Sequence, residues 1–185
     1  MKDLGHKTDA DVDSIASRLK SRRLLQLIVA TMVGLAISGA INLIDGDWTN
    51  LNVHVPAQIA LLCALWALRT GRFELANTVL LVTATVSISV LVWQNSGLRD
   101  PAMLAYPAIL VFASTMGGRR LFLSLLAMIL LVVAFVGVAN LQGWHINKVP
   151  THTPGSMMNV SIVLSLTAFL VWLMASDLRS ALAEL

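Results

Sequence analysis

The residues best equipped to bind something in this chain are neutral hydrogen-bonding groups and aromatics near the ends of apolar runs. Asn42, Trp93, Asp100, Tyr106, Asn140, Trp144 and His145 form the candidate ligand-binding set, with Gln58, Gln94, Asn95 and Asn159 nearby in the pattern. Brought together, the rings would wall a small pocket, and the amides, phenol and carboxylate would fix a ligand's orientation. The plainer reading is that they bond water and lipid headgroups at a membrane interface. Tyr106-Pro107 is the sharpest element of the set. Proline has no N–H, so it frees a carbonyl one turn earlier and can kink a helix around a cavity.

Three histidines, His54, His145 and His152, fall on the same side as Asp45, Asp47 and Asp100. Such residues can bind a transition metal or respond to pH. No two of them have the spacing of a metal motif on one helix, and His54 and His145 are placed at membrane edges. No metal or cofactor is assigned. No nucleophile–base pair, phosphate-binding loop or paired carboxylate occurs, so catalytic residues are not expected and the chain is read as a non-enzyme. Cys63, the single cysteine, lies in an apolar run and reads as a buried structural thiol.

The elements that must position these residues are membrane helices. Of 185 residues, 57% are hydrophobic and 12% are charged, and the mean hydropathy is +0.77. A soluble domain carries about a quarter charged residues; this chain lacks the polar shell a soluble core needs. Apolar runs at about Leu24–Ile44, Val55–Leu68, Phe73–Trp93, Pro101–Met116, Leu121–Leu141 and Met157–Ser176 predict six spans. The second and fourth fall short of the roughly 20 residues a crossing takes. Residues 1–21 predict a cytoplasmic amphipathic lead-in helix, with Val12, Ile15 and Leu19 at three- to four-residue spacing. It either lies in the interface or runs straight into the first span. The fold class is therefore all-α: a polytopic membrane protein, a bundle of six transmembrane helices with an N-terminal amphipathic helix.

Charge sets the expected orientation. With both termini cytoplasmic, eleven of the 13 Lys and Arg residues fall inside and only Arg99 and Lys148 outside. Trp48, Trp93 and Trp144 then mark the outer boundary. A net charge of +3 is explained by this asymmetry, and no nucleic acid partner is expected. The two inner turns, Arg69-Thr-Gly-Arg72 and Gly117-Gly-Arg-Arg120, look alike, each with glycine available for a positive φ. Asp100-Pro101 reads as an N-cap followed by proline at the first helical position. Gly34 with Ser38, Ala36 with Ala40, and Ser161 with Ser165 are small-xxx-small pairs that permit close helix contact within the chain or at a dimer seam. No ionisable side chain falls at the centre of any predicted span, which argues against a proton-coupled transporter or ion pump.

After the sixth span comes Asp177-Leu-Arg-Ser-Ala-Leu-Ala-Glu-Leu185, with Leu178, Leu182 and Leu185 spaced as one heptad of a coiled-coil seam. Taken with Asp100-Pro101, Tyr106-Pro107 and Gly117-Gly-Arg-Arg120, this exit resembles bacterial six-span, MASE-like membrane sensor regions, over about residues 20–185. Such regions precede histidine kinase or diguanylate cyclase domains. The resemblance implies a sensor domain at 22–176 and the start of a cytoplasmic signalling helix at 177–185, with Asp177, Leu178, Leu182 and Leu185 as the relay. It also implies a homodimer in the bacterial inner membrane, an unidentified small-molecule or membrane cue, and an output enzyme beyond residue 185. Two alternatives stand beside it: a small transporter or permease subunit, and a membrane scaffold subunit.

Overall fold

A computed structural model describes residues 3–44, 46, 48–144, 161–162 and 167. The described residues contain helices and turns and no strand. Five α-helices follow in order: α1 (Asp3–Ile44), α2 (Trp48–Arg69), α3 (Phe73–Gln94), α4 (Ala105–Met116) and α5 (Arg119–Leu141). Short 3-10 turns at Gly97–Arg99 and Pro101–Leu104 bridge α3 and α4. Four segments are long and apolar enough to cross a membrane: Lys20–Ile44, Leu51–Arg69, Phe73–Gln94 and Arg119–Leu141. The chain is a helical membrane protein. A fifth apolar segment, Pro101–Met116, is shorter. Of the predicted sixth span only residues 161, 162 and 167 are described, and the relay residues Asp177, Leu178, Leu182 and Leu185 lie outside the described residues, as do Asp45, Asp47 and His145.

The lead-in and the first span form one continuous helix, so the alternative of a separate helix in the interface gives way to direct continuation. At about 1.5 Å per residue, the 42 residues of α1 make a rod longer than the hydrocarbon is thick. The short second run gains its missing length at its N-terminal side. Helix α2 begins at Trp48 and passes through Pro56, which forfeits one rung of the hydrogen-bond ladder.

Helix α3 is the hub. It pairs with α2 as an antiparallel hairpin and also packs on α4, on α5 and on the turn Pro101–Leu104, while α1 lies mainly on α2. The core between them contains Leu24, Ile28, Leu61, Leu80, Phe112 and Leu125. Ala64, Ala67, Ala76 and Ala113 are buried in the same cluster. Hydrocarbon supplies no hydrophobic force between helices, so these small side chains matter by letting backbones approach and dispersion accumulate. Facing the other way, α1 exposes Leu25, Val29, Val33 and Ile37, and α5 exposes Leu130, Leu131 and Phe135. Apolar residues on outward faces are what a lipid solvent demands.

The two arginine-bearing turns are not alike. Gly71 has φ +79°; Arg72 donates its N–H to the Ala67 carbonyl at 2.9 Å and Gly71 donates to Leu68 at 3.1 Å. That is a Schellman closure of α2, and it requires the left-handed conformation. Gly117 and Gly118 instead have φ of −101° and −67°. Gly117 is needed for room: a Cβ there would meet the Ala113 carbonyl oxygen at 2.8 Å and Leu121 Cδ2 at 2.9 Å. Gly118 faces open space. Gly143 at φ +68° closes α5 as Gly71 closes α2, with Trp144 donating to the Ala139 carbonyl at 2.9 Å.

These geometries order three substitutions. Gly71→Ala should lower stability by about 1 kcal/mol through its positive φ. Gly117→Ala should cost at least as much through the backbone clash, and Gly118→Ala should be close to neutral. Thermal unfolding of the three variants in detergent, followed by circular dichroism, measures the order. Equal losses at 71 and 118 would contradict the distinction.

Candidate functional site

Each polar side chain inside an apolar bundle has lost water and must find a partner among its neighbours. The described residues collect such groups in two places. The first is the seam between α1 and α2. His54 Nε2 lies 3.1 Å from Ser38 Oγ, and the imidazole packs on Gly39, where a Cβ would stand 3.5 Å from His54 Cδ2. Gln58 donates its amide to the Met32 carbonyl at 2.8 Å. Asn42, one turn beyond Ser38, is buried. Glycine and serine on α1 thus make the hollow that admits a histidine.

His54 stands in the first turn of its apolar segment, near the edge expected for it, with its ring turned into the α1–α2 seam. It is 4% exposed and falls inside the apolar segment Leu51–Arg69. The Gly34/Ser38 pair also acquires a definite use. Gly34 is buried and Ser38 faces α2, whereas Ala36 and Ala40 are exposed on the other face of α1.

The second group is the corner formed by α3, α4 and α5 at the end away from the arginine turns. Ser89 Oγ donates to the Thr85 carbonyl at 2.7 Å and lies 2.9 Å from the Tyr106 hydroxyl. With the serine proton spent on Thr85, the phenol is the donor to Ser89. Tyr106 is 3% exposed. Trp93 stacks on Phe135 with ring centroids 5.2 Å apart. Val92, Ala102 and Val136 close the space beneath them, and Leu98 reaches Gly137 on α5. Asn140 is half-buried near the end of α5, while Trp144 is exposed.

Asp100 performs the cap read from the sequence. Its carboxylate accepts the Ala102 N–H at 2.8 Å, with Pro101 at the first position of the turn. Burial pushes this carboxyl above its ordinary range, and hydrogen bonds from the Ala102 and Ser96 backbones and the Asn95 side chain pull part of the way back. Pro107 falls in the first turn of α4 instead of its interior. It caps the start of the α ladder after the 3-10 turn Pro101–Leu104 and does not bend an established helix.

Trp93, Asp100, Tyr106 and Asn140 thus belong to one corner of the bundle. Asn42 belongs with His54 on the α1–α2 seam. His145 lies outside the described residues. Sequence patterning found Tyr106 and Trp93 but missed their partners, Ser89 and Phe135, because one helix's hydroxyl and another's ring carry no shared spacing. A further tie between helices, from Asn77 Nδ2 to the Met116 carbonyl at 3.2 Å, was likewise invisible. Asn77 is buried, and its Oδ1 has no hydrogen-bond partner among the described residues.

No family model, curated protein or solved structure matches this chain. The functional reading accordingly rests on the chain's own chemistry.

Two measurements test these sites. Because the folded state raises the Asp100 pKa, its contribution is fully present below the unfolded value, about pH 4, and is lost as pH rises through the folded value. Asp100→Asn keeps the cap without the charge. It should match or exceed the parent at pH 7, with that advantage shrinking toward pH 4; Asp100→Ala should lose about 1 kcal/mol at pH 7. At the other site, a double-mutant cycle of His54→Ala and Ser38→Ala should return a coupling of about 0.6–2 kcal/mol. Strict additivity would remove the seam's hydrogen bond from the account.

Proposed function

We propose that this chain is a membrane sensory input domain of the MASE-like kind. A small molecule or membrane cue acts on the half of the bundle away from the arginine turns, and the last helix relays it to a cytoplasmic output domain. The observation that carries the reading is the use of polar groups inside the bundle. His54 with Ser38, Gln58 with Met32, Asn77 with Met116 and Ser89 with Tyr106 each tie one helix to its neighbour. Ties of this type give a bundle a small number of discrete packings, and a cue that binds one packing better than another shifts their populations.

In this reading Trp93, Asp100, Tyr106, Asn140 and Trp144 are the ligand-facing corner, with Asn42 on the adjoining seam and His145 beyond it. Asp177, Leu178, Leu182 and Leu185 form the relay in a homodimer. Both termini are cytoplasmic, and the membrane is the bacterial inner membrane. Replacing Tyr106 or Trp144 with alanine in the full-length protein should weaken output in response to the cue while preserving insertion. Unchanged responses in both variants would remove the corner from the mechanism. Reporter fusions at residues 70 and 118 should report the cytoplasm, and fusions at 98 and 150 the outside.

A second reading, a small transporter subunit, gains one specific support. His54 is a titratable side chain buried inside an apolar segment, and an ionisable residue there is characteristic of proton pathways. Proton-coupled uptake in proteoliposomes that is abolished by His54→Gln would favour transport over sensing.

A further inference from the structure

The outward face of α2 carries an uninterrupted ridge. Val55, Ile59, Leu62 and Trp66 follow at four-, three- and four-residue spacing and are each more than half exposed. Arg69 continues the same ridge, and Arg72 follows across the Gly71 turn; both are exposed. From Val55 to Trp66 the ridge rises about 16 Å, close to the roughly 15 Å that one leaflet contributes to the hydrocarbon core. Its chemical order is that of a phospholipid seen from the tail: aliphatic along one monolayer, then an indole at interfacial depth, then two guanidinium groups. Indole favours the headgroup level, where an apolar body and a polar N–H are both accommodated. Guanidinium matches phosphate oxygens in bidentate geometry.

Nothing in the described fold neutralises this pair. No ion pair holds Arg69 or Arg72 among the described residues, and Arg119, Arg120, Lys20 and Arg22 are exposed around the same end of the bundle. In the first turn of α3, Glu74 is the acidic residue opposing them. A zwitterionic headgroup brings its own cation and would leave most of this field uncompensated. An acidic phospholipid supplies a net negative charge at the depth where the arginines stand.

We propose that the α2 ridge with Arg69 and Arg72 is a binding site for acidic phospholipid, its acyl chain on Val55–Trp66 and its phosphate on the two arginines. The inference requires the membrane frame alone and holds whichever end faces the cytoplasm. It is therefore independent of the sensing proposal. The competing occupant is a second copy of the chain seated on the same ridge, and the neighbouring thiol of Cys63, exposed on the outward face of α2 and not buried as its apolar run suggested, reports on it.

The test uses Trp66 as its own probe. The chain with Trp48, Trp93, Trp144 and Trp172 replaced by Phe is reconstituted in phosphatidylcholine vesicles. These contain a fixed minority of brominated phosphatidylglycerol or, separately, brominated phosphatidylcholine. Trp66 should be quenched preferentially by the brominated phosphatidylglycerol, by roughly fivefold in relative association at low salt. In Arg69→Gln/Arg72→Gln the preference should fall to unity. Equal quenching by the two lipids would overturn the proposal. So would inorganic phosphate that abolishes the preference as fully as the double substitution, because the arginines would then hold a free anion.

Native mass spectrometry of the otherwise unaltered chain gives a second readout that does not depend on the tryptophan replacements. Phosphatidylglycerol should remain bound at activation energies that strip phosphatidylcholine. Efficient Cys63–Cys63 disulfide formation in dilute vesicles would place a second copy on the ridge and exclude the lipid.

Discussion

The fold depends on one constraint: inside hydrocarbon, a polar group that lacks an internal partner costs several kcal/mol. Helices satisfy the backbone, and side chains must then be dealt with one by one. Hydrogen bonds between neighbouring helices do this work among the described residues, and two of them, those of Asn77 and Tyr106, lie at the ends of α4. Asn77 closes the end of α4, Gln58 takes a carbonyl of α1, and Tyr106 fastens the start of α4 to α3. Packing by small residues acts along with them. The buried alanines of α2, α3 and α4 bring the backbones close enough for such short side chains to reach across.

This arrangement explains why α3 occupies the centre. Its serines and threonines can bond their own carbonyls, as Thr85 and Ser89 do, so they cross the apolar interior without needing a partner elsewhere. Ser89 keeps spare acceptor capacity and uses it for Tyr106. A helix whose hydroxyls are satisfied by its own carbonyls can be surrounded on several sides. Helix α5 shows the opposite solution, with Leu130, Leu131 and Phe135 turned to lipid.

Much of this was legible in the sequence, because membrane helices are written in length and apolarity. The bounds of α3 and α5 follow their apolar runs to within a residue or two, and Asp100-Pro101 gave its cap directly. What was not legible depends on contacts between helices. The second apolar run read as Val55–Leu68, yet α2 begins seven residues further back, at Trp48. The turn of the His54 ring into the α1–α2 seam was not legible either. The glycine pair at 117 and 118 resembled Gly71 in composition, but its requirement is space against Ala113 and Leu121, which no local pattern encodes. Of the candidate corner, the aromatic members were visible as interfacial residues, and their hydrogen-bonding and stacking partners were not.

The uneven apolarity of the helices bears on how the chain enters the bilayer. Helix α2 is the least apolar of the four long spans and carries His54, Gln58 and a proline that interrupts its ladder. Partitioned alone from the translocon, it would expose all three to lipid. The three-residue turn at Gly71 delivers α3 immediately behind it, and α1 is already present with the Met32 carbonyl and Ser38. Order therefore matters to this bundle: the polar groups of α2 are compatible with hydrocarbon only beside the helix that pairs with them.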